Sequence, residues 1–196
     1  MDLSTAKILG IIGAVLNFVG WFTQPVVSIV GFILVLLAIY TVSSITKRSE
    51  IFTNYLIGVI LTIAGIVILV IGLMYLGISM MASPTIIFNM PDLSSIIFAI
   101  IALVIIFVVL FIIGSYFIRK AYHGMGDTLN HGLFRTTGTL YFISAILSII
   151  LIGILLLFAT IIVELVAWAT MPTTLPKPLE EKGLETPEEK PPEIIL

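Results

Sequence analysis

Glu164 is the one ionisable side chain that falls deep inside a long apolar stretch of this 196-residue sequence. A carboxylate in such a position is costly to bury, and it is therefore a candidate ion ligand, proton carrier or member of a buried pair. We expect its polar partners to be Asn17 and Gln24, if the two ends of the apolar region face each other. Glu164 lies about 10 Å along a helix from Met171. The alternative is therefore a carboxyl that reaches the polar end of its helix or stays protonated.

A second candidate for chemistry is the series His123, Asp127 and His131, whose members are four residues apart. On one continuous helix they would share a face and could hold a divalent metal. Glycines among and directly after them argue against a continuous helix. We therefore predict solvated residues near lipid headgroups and no metal site.

Three cations, Arg119, Lys120 and Arg135, border the same polar segment. Basic residues beside an apolar run attract anionic lipid, each contributing about 1 kcal/mol near a membrane surface. These three residues are therefore candidates for contact with anionic lipid.

Catalytic patterns are absent from the sequence, which contains no nucleophile elbow, zinc-protease motif, phosphate-binding loop or dinucleotide-binding motif. It also contains no cysteine, which excludes thiol catalysis and disulfides. The net charge of −2 argues against a nucleic-acid partner. The sequence therefore predicts a protein that is not an enzyme, with no catalytic residue and no cofactor.

The elements that position these residues are apolar helices. Hydrophobic residues make up 60% of the chain, charged residues only 10%, and the mean hydropathy is +1.26. Soluble domains contain about 25% charged residues. Apolar runs of this length without alternation favour membrane-spanning helices over a barrel. The four apolar blocks are approximately Ile8–Ile45, Asn54–Met81, Ser94–Ile118 and Leu133–Met171.

The first and last blocks are too long for one span each. Pro25 divides the first block into a hairpin. The last block would be roughly 58 Å long as one helix, so we favour two helices that meet near Ile149 to Gly153. A weak internal repeat supports this division, because aligning Lys7 with Arg135 also aligns Pro25 with Gly153.

The predicted fold is an all-α polytopic membrane bundle of six transmembrane helices, with terminal hairpins flanking two central helices. If the last block is a single helix, the number of spans is five. The predicted transmembrane domain covers residues 1–171, with helices at about 5–22, 26–45, 54–81, 94–118, 133–149 and 153–170. Residues 172–196 are rich in proline and glutamate, which predicts a disordered acidic tail.

Lysine and arginine fall in alternate gaps between the apolar segments, which predicts the orientation. Lys7, Lys47 with Arg48, and Arg119 with Lys120 mark one side, and the gaps between them contain no cation. We predict a multi-pass protein of the cell membrane with a cytoplasmic amino terminus. Six spans would also place the carboxyl terminus in the cytoplasm, and five would place it outside.

Small residues form two stripes at helical spacing, where another backbone can approach closely. We predict close helix packing within one chain along both stripes, with self-association as the alternative. The stripes are Gly58, Gly65, Gly72 and Ser79 in the third helix, and Ala6, Gly10 and Ala14 in the first.

Four stretches of the chain resemble a known family. They are Ser4–Ala14 (STAKILGIIGA), Arg48–Leu56 (RSEIFTNYL), Phe117–Tyr122 (FIRKAY) and Leu133–Leu157 (LFRTTGTLYFISAILSIILIGILLL). They are similar to the uncharacterised archaeal and bacterial multi-helix membrane proteins known as domain of unknown function 996. The resemblance implies a membrane bundle and brings no assigned activity.

Two functions remain open from the sequence. The scarcity of buried polar groups favours a non-catalytic scaffold, assembly factor or accessory subunit, whose partners are the lipid bilayer and either other membrane subunits or a second copy. The alternative is a small transporter or channel, which can be oligomeric. Transport requires a polar lining, so a Glu164 that faced lipid without a polar neighbour or cavity would exclude it.

Overall fold

The computed structural model describes residues 2–82, 90–150 and 152–176. The described part of the chain consists of six α-helices and a short 3-10 turn, and it contains no strand. The helices are α1 (Leu3–Gly20), α2 (Pro25–Ile45), α3 (Ser49–Ala82), α4 (Met90–Thr128), α5 (Gly132–Leu147) and α6 (Ile152–Thr170). The predicted all-helical bundle of six helices is confirmed. Most of the predicted tail, from residue 177 onward, lies outside the described residues.

Local sequence explains where the first two helices begin. The Asp2 carboxylate accepts hydrogen bonds from the Thr5 hydroxyl at 2.7 Å and the Thr5 backbone N–H at 2.8 Å, which caps α1. The same two bonds lower the pKa of Asp2 below its usual value, the hydroxyl bond having the larger effect. Pro25 begins α2, where the missing N–H of proline costs no hydrogen bond.

The two terminal segments are helical hairpins. In the first, the Ser28 hydroxyl on α2 donates to Asn17 Oδ1 on α1 at 2.8 Å. In the second, the hydroxyls of Ser144 on α5 and Thr160 on α6 lie 3.3 Å apart. A 3-10 turn, Ser148–Ile150, leads from α5 toward α6. The last apolar block is therefore two helices.

The six helices form a closed ring, because each packs against the next in the chain and α6 returns to α1. The Lys7 ammonium on α1 donates to the Met171 carbonyl, just after α6, at 3.1 Å. Arg48, before α3, donates to the Thr128 hydroxyl at the end of α4 at 2.9 Å. The Thr170 hydroxyl lies 3.1 Å from His131 Nε2 and links these two pairs. The contacts together place the amino terminus, the α2–α3 and α4–α5 turns and Met171 at one end, called here the basic end.

The fourth helix is longer than the sequence predicted, because it continues from Ile118 to Thr128. Glycine inside a helix costs about 1 kcal/mol relative to alanine, but Gly124 and Gly126 are used here for close packing. A Cβ at Gly126 would lie 2.6 Å from Cγ of Arg135 on α5, and one at Gly124 would lie 3.1 Å from Ile51. Close tertiary packing at these positions explains why the helix continues.

Four helices in the described part are long and apolar enough to cross a membrane, and α6 adds a shorter apolar segment, Leu155–Thr170. The outward faces of α3 and α4 expose large hydrophobic side chains, with Tyr75 and Phe98 each 71% exposed. Apolar faces of this extent are unusual on a soluble monomer. The chain is a membrane protein.

The small residues of α3 face α4 within the same chain. Gly58 lies against the Gly114 carbonyl, Gly65 against Leu110 and Phe107, and Gly72 against Leu103. Ser79 donates to the Tyr75 carbonyl of its own helix. On α1, Ala6, Gly10 and Ala14 are buried.

Replacing Gly58 by alanine is expected to lower the free energy of unfolding by about 1–3 kcal/mol, because its Cβ would lie 2.6 Å from the Gly114 carbonyl oxygen. Gly65→Ala is the control, since its Cβ would lie 3.3 Å from Leu110 Cβ and meet no backbone within 3.5 Å. Equilibrium unfolding in mixed micelles measures both variants. Equal effects would show that the two helices do not approach most closely at Gly58.

Candidate functional site

A cavity of about 370 Å³ lies between the helices, and all six contribute to its wall. Most of the lining surface is apolar, although six of the twelve lining residues carry a polar group. The polar lining residues are Asn17 on α1, Ser28 on α2, Tyr55 and Thr62 on α3, Tyr141 on α5 and Glu164 on α6, while Ile118 is the contribution of α4. This composition is typical of a small-molecule site.

Glu164 is 2% exposed, and each of its oxygens accepts a hydrogen bond from a different tyrosine. Tyr122 on α4 donates to Oε1 at 2.5 Å, and Tyr141 on α5 donates to Oε2 at 2.7 Å. The carboxylate thus joins three helices. A carboxylate offers about four acceptor positions, and the Trp168 indole N–H lies near enough to interact with Glu164 as a third donor, so one position remains for a group that enters the cavity.

Aromatic rings surround this carboxylate. The ring centroids of Tyr122 and Tyr141 are 5.8 Å apart, and those of Tyr55 and Tyr122 are 6.1 Å apart. Phe32 stacks on Tyr55 at 6.5 Å. The faces of aromatic rings attract cations, so the rings and the acid favour the same kind of ligand group.

Asn17 forms a second polar point of the cavity. Its Oδ1 accepts from Ser28, which leaves its amide N–H groups as donors. The remaining wall is formed by aliphatic side chains, among them Val35, Val59 and Ile118. The site can therefore recognise a small, largely apolar molecule. A cationic or hydrogen-bond-donating group of that molecule would bond to Glu164, and a hydrogen-bond acceptor on it would bond to the Asn17 amide.

The cavity opens toward the lipid-facing surface between α2 and α3. Ile29 on α2 and Ile63 on α3 both line it, yet they are 57% and 50% exposed. Nearer the basic end, the Phe32–Tyr55 and Tyr40–Phe52 ring contacts join the two helices. The cavity therefore has exposed lining residues on the side between α2 and α3.

The structure brings only part of the predicted polar set together. Asn17 and Glu164 line the same cavity, whereas Gln24 lies exposed before α2 and is not part of the lining. Tyr122 and Tyr141 were missed, although a signal for Tyr141 exists. Tyr55, Tyr141 and Glu164 lie six to nine residues from the helix ends at the basic end, and Tyr122 lies at a similar depth. Counting inward from the turns would have placed Tyr141 and Glu164 at a similar depth, but Tyr122 lies beyond the predicted end of its helix at Ile118.

The histidine series makes three separate contacts. His123 Nδ1 bonds to the Arg119 carbonyl at 2.9 Å, and His131 Nε2 lies 3.1 Å from the Thr170 hydroxyl. Asp127 forms an ion pair with Arg135 at 2.6 Å. Within the described residues, no group of three potential metal ligands comes together.

The three cations that are candidates for lipid contact have different surroundings. The Arg119 guanidinium lies over the Phe142 ring at 5.4 Å, and Arg135 is paired with Asp127. Lys120 is exposed on another face of α4. Adjacent residues on a helix do not share a face, which is why Arg119 and Lys120 separate.

Comparison with known proteins places this architecture in a family. The sequence model described as "Protein of unknown function (DUF996)" matches residues 27–162. The uncharacterised protein MJ1644 of Methanocaldococcus jannaschii is 35% identical over 177 residues, which is 89% of this chain and 96% of the relative. No solved structure matches the chain. The chain thus belongs to the DUF996 family of proteins of unknown function.

Proposed function

We propose that this protein binds a small, largely apolar molecule with a cationic or hydrogen-bond-donating group, as the binding step of a small membrane transporter. The observation that supports this most strongly is Glu164, which is buried, held by two tyrosines, and part of the wall of a cavity. An acid that faced lipid without polar neighbours would have argued against transport. The lateral opening between α2 and α3 suits a ligand that enters from the bilayer.

The proposed topology is six spans, with both termini in the cytoplasm. The cations at the basic end carry this assignment, because basic residues in short loops remain on the cytoplasmic side. In this arrangement Glu164 lies about 10 Å from the helix end at Met171. The α1–α2 and α5–α6 hairpins then flank the cavity as two similar units beside the α3–α4 pair.

A second candidate function is a scaffold or accessory subunit of a membrane complex. The exposed apolar faces of α3 and α4 favour it, because these helices are 34 and 39 residues long while the other four contain 16 to 21. Another membrane subunit or a second copy could cover the extra length. In either role we propose a protein without catalytic activity, cofactor or nucleic-acid partner.

Protection of single thiols tests the binding proposal, and the absence of native cysteine makes each introduced thiol unique. Val59→Cys places a thiol in the cavity wall, and Ile60→Cys, at a position 56% exposed, places one outside the lining. We expect 1-naphthylmethylamine to slow methanethiosulfonate modification at position 59 and to leave position 60 unchanged. Equal protection at both positions, or at neither, would contradict binding in this cavity.

A further inference from the structure

A second pocket, of about 250 Å³, lies at the basic end between the start of α3 and the end of α4. Its polar lining comes from two of the stretches that carry the family resemblance and from the residues directly after one of them. The polar lining residues are Arg48, Glu50, Asn54, Lys120, His123 and Asp127. We call it the α3–α4 polar pocket.

One cation of this pocket, Lys120, is not paired with an acid in the described part of the chain. Arg48 donates through Nε to Glu50 at 2.9 Å, and Asp127 is paired with Arg135. The pocket therefore holds two neutralised acids and a cation available to an anionic ligand.

Two other polar side chains of the pocket, Asn54 and His123, can bond to a phosphate group. His123 Nδ1 lies 2.9 Å from the Arg119 carbonyl. A carbonyl only accepts, so Nδ1 carries the proton, and Nε2 of the neutral ring is an acceptor that can bond to the P–O–H group of a phosphate monoester. Asn54 adds an amide whose N–H groups can donate to the phosphate.

The position of the pocket indicates where the anion comes from. The apolar run of α4 ends at Ile118, and that of α3 begins at Tyr55, so both runs end beside the pocket. This is the level at which lipid phosphates meet the hydrocarbon of a leaflet. We infer that the α3–α4 polar pocket binds the phosphate of an anionic phospholipid, with its acyl chains along the exposed faces of α3 and α4.

Thermal unfolding of the purified protein in neutral detergent, titrated with phosphatidic acid or diacylglycerol, tests this site. The two lipids differ only in the phosphate, and we expect phosphatidic acid alone to raise the unfolding midpoint. Lys120→Gln should weaken the apparent affinity about fivefold. Lys47→Gln is the matched control, because Lys47 is an exposed cation outside the α3–α4 polar pocket.

Two outcomes would overturn the phosphate site, and a third would assign it to a soluble ligand. Equal stabilisation by both lipids, or equal weakening by Lys120→Gln and Lys47→Gln, would overturn the site. Inorganic phosphate that displaces phosphatidic acid from the wild type but not from Lys120→Gln would support the phosphate site and assign it to a soluble phosphate. Because Lys120 is exposed, its substitution should leave the fold intact.

Discussion

Replacing Glu164 by alanine is expected to lower the free energy of unfolding by about 2–4 kcal/mol. The substitution removes the acceptors of two hydrogen bonds, which leaves the phenol O–H groups of Tyr122 and Tyr141 without partners in the interior. Equilibrium unfolding in mixed micelles measures the loss. Adding Tyr122→Phe and Tyr141→Phe to the alanine variant should recover part of it, because neither phenol O–H is then left unsatisfied.

The control for this prediction is Glu50→Ala. The Glu50 side chain is 59% exposed and its ion pair with Arg48 lies at the surface, where such pairs contribute about 0–1 kcal/mol. If Glu164→Ala cost no more than Glu50→Ala, the tyrosine bonds would not hold α6 to α4 and α5. The position of α6 in the cavity wall would then depend on other contacts.

Replacing Gly10 by leucine is expected to cost more than about 3 kcal/mol. A Cβ at this position would overlap three atoms of the Trp168 indole. That ring is fully buried and packs edge-on against Phe134 at 5.1 Å, so it has no room to move away. The contact lies between α1 and α6, where the ring of helices closes, and its disruption should open the cavity.

Gly77→Leu is the matched control, because nothing lies within 4 Å of a Cβ at Gly77. There the larger side chain projects into open space, and leucine has the better helix propensity. Unfolding in mixed micelles should therefore give a variant at least as stable as the wild type. A Gly10→Leu protein as stable as Gly77→Leu would show that α6 does not close against α1.

Much of this fold is predictable because hydrocarbon excludes charged side chains and requires every backbone hydrogen bond to be made within the protein. Exclusion of charge from the apolar blocks predicts the membrane helices, and Pro25 predicts the first hairpin. The second hairpin contains no proline and no charge at its turn, so sequence alone left five and six spans open. The alignment of Pro25 with Gly153 favoured the arrangement that the structure has.

The site was harder to predict because its polar groups come from different helices. Glu164 stands out in a sequence, whereas Tyr122 and Tyr141 resemble ordinary interfacial aromatics until the helices are placed side by side. Gln24 failed as a partner because it is exposed in the α1–α2 turn, directly before α2, and does not lie on a helix face that lines the cavity. Gly124 and Gly126 suggested a helix end, but the partners packed against them lie far away in the sequence.

The central claim is that the Glu164 carboxylate faces a ligand in the cavity. Fluorescence titration with 1-naphthylmethylamine and 1-naphthylmethanol tests it most directly, because the two probes share one ring system and differ in the cationic group. The wild type is expected to bind the amine about tenfold more tightly than the alcohol, because only the amine forms a hydrogen bond between two charged groups. Glu164→Gln should remove that preference while binding of the alcohol persists. Equal binding of both probes by the wild type, or a preference retained by Glu164→Gln, would contradict the claim.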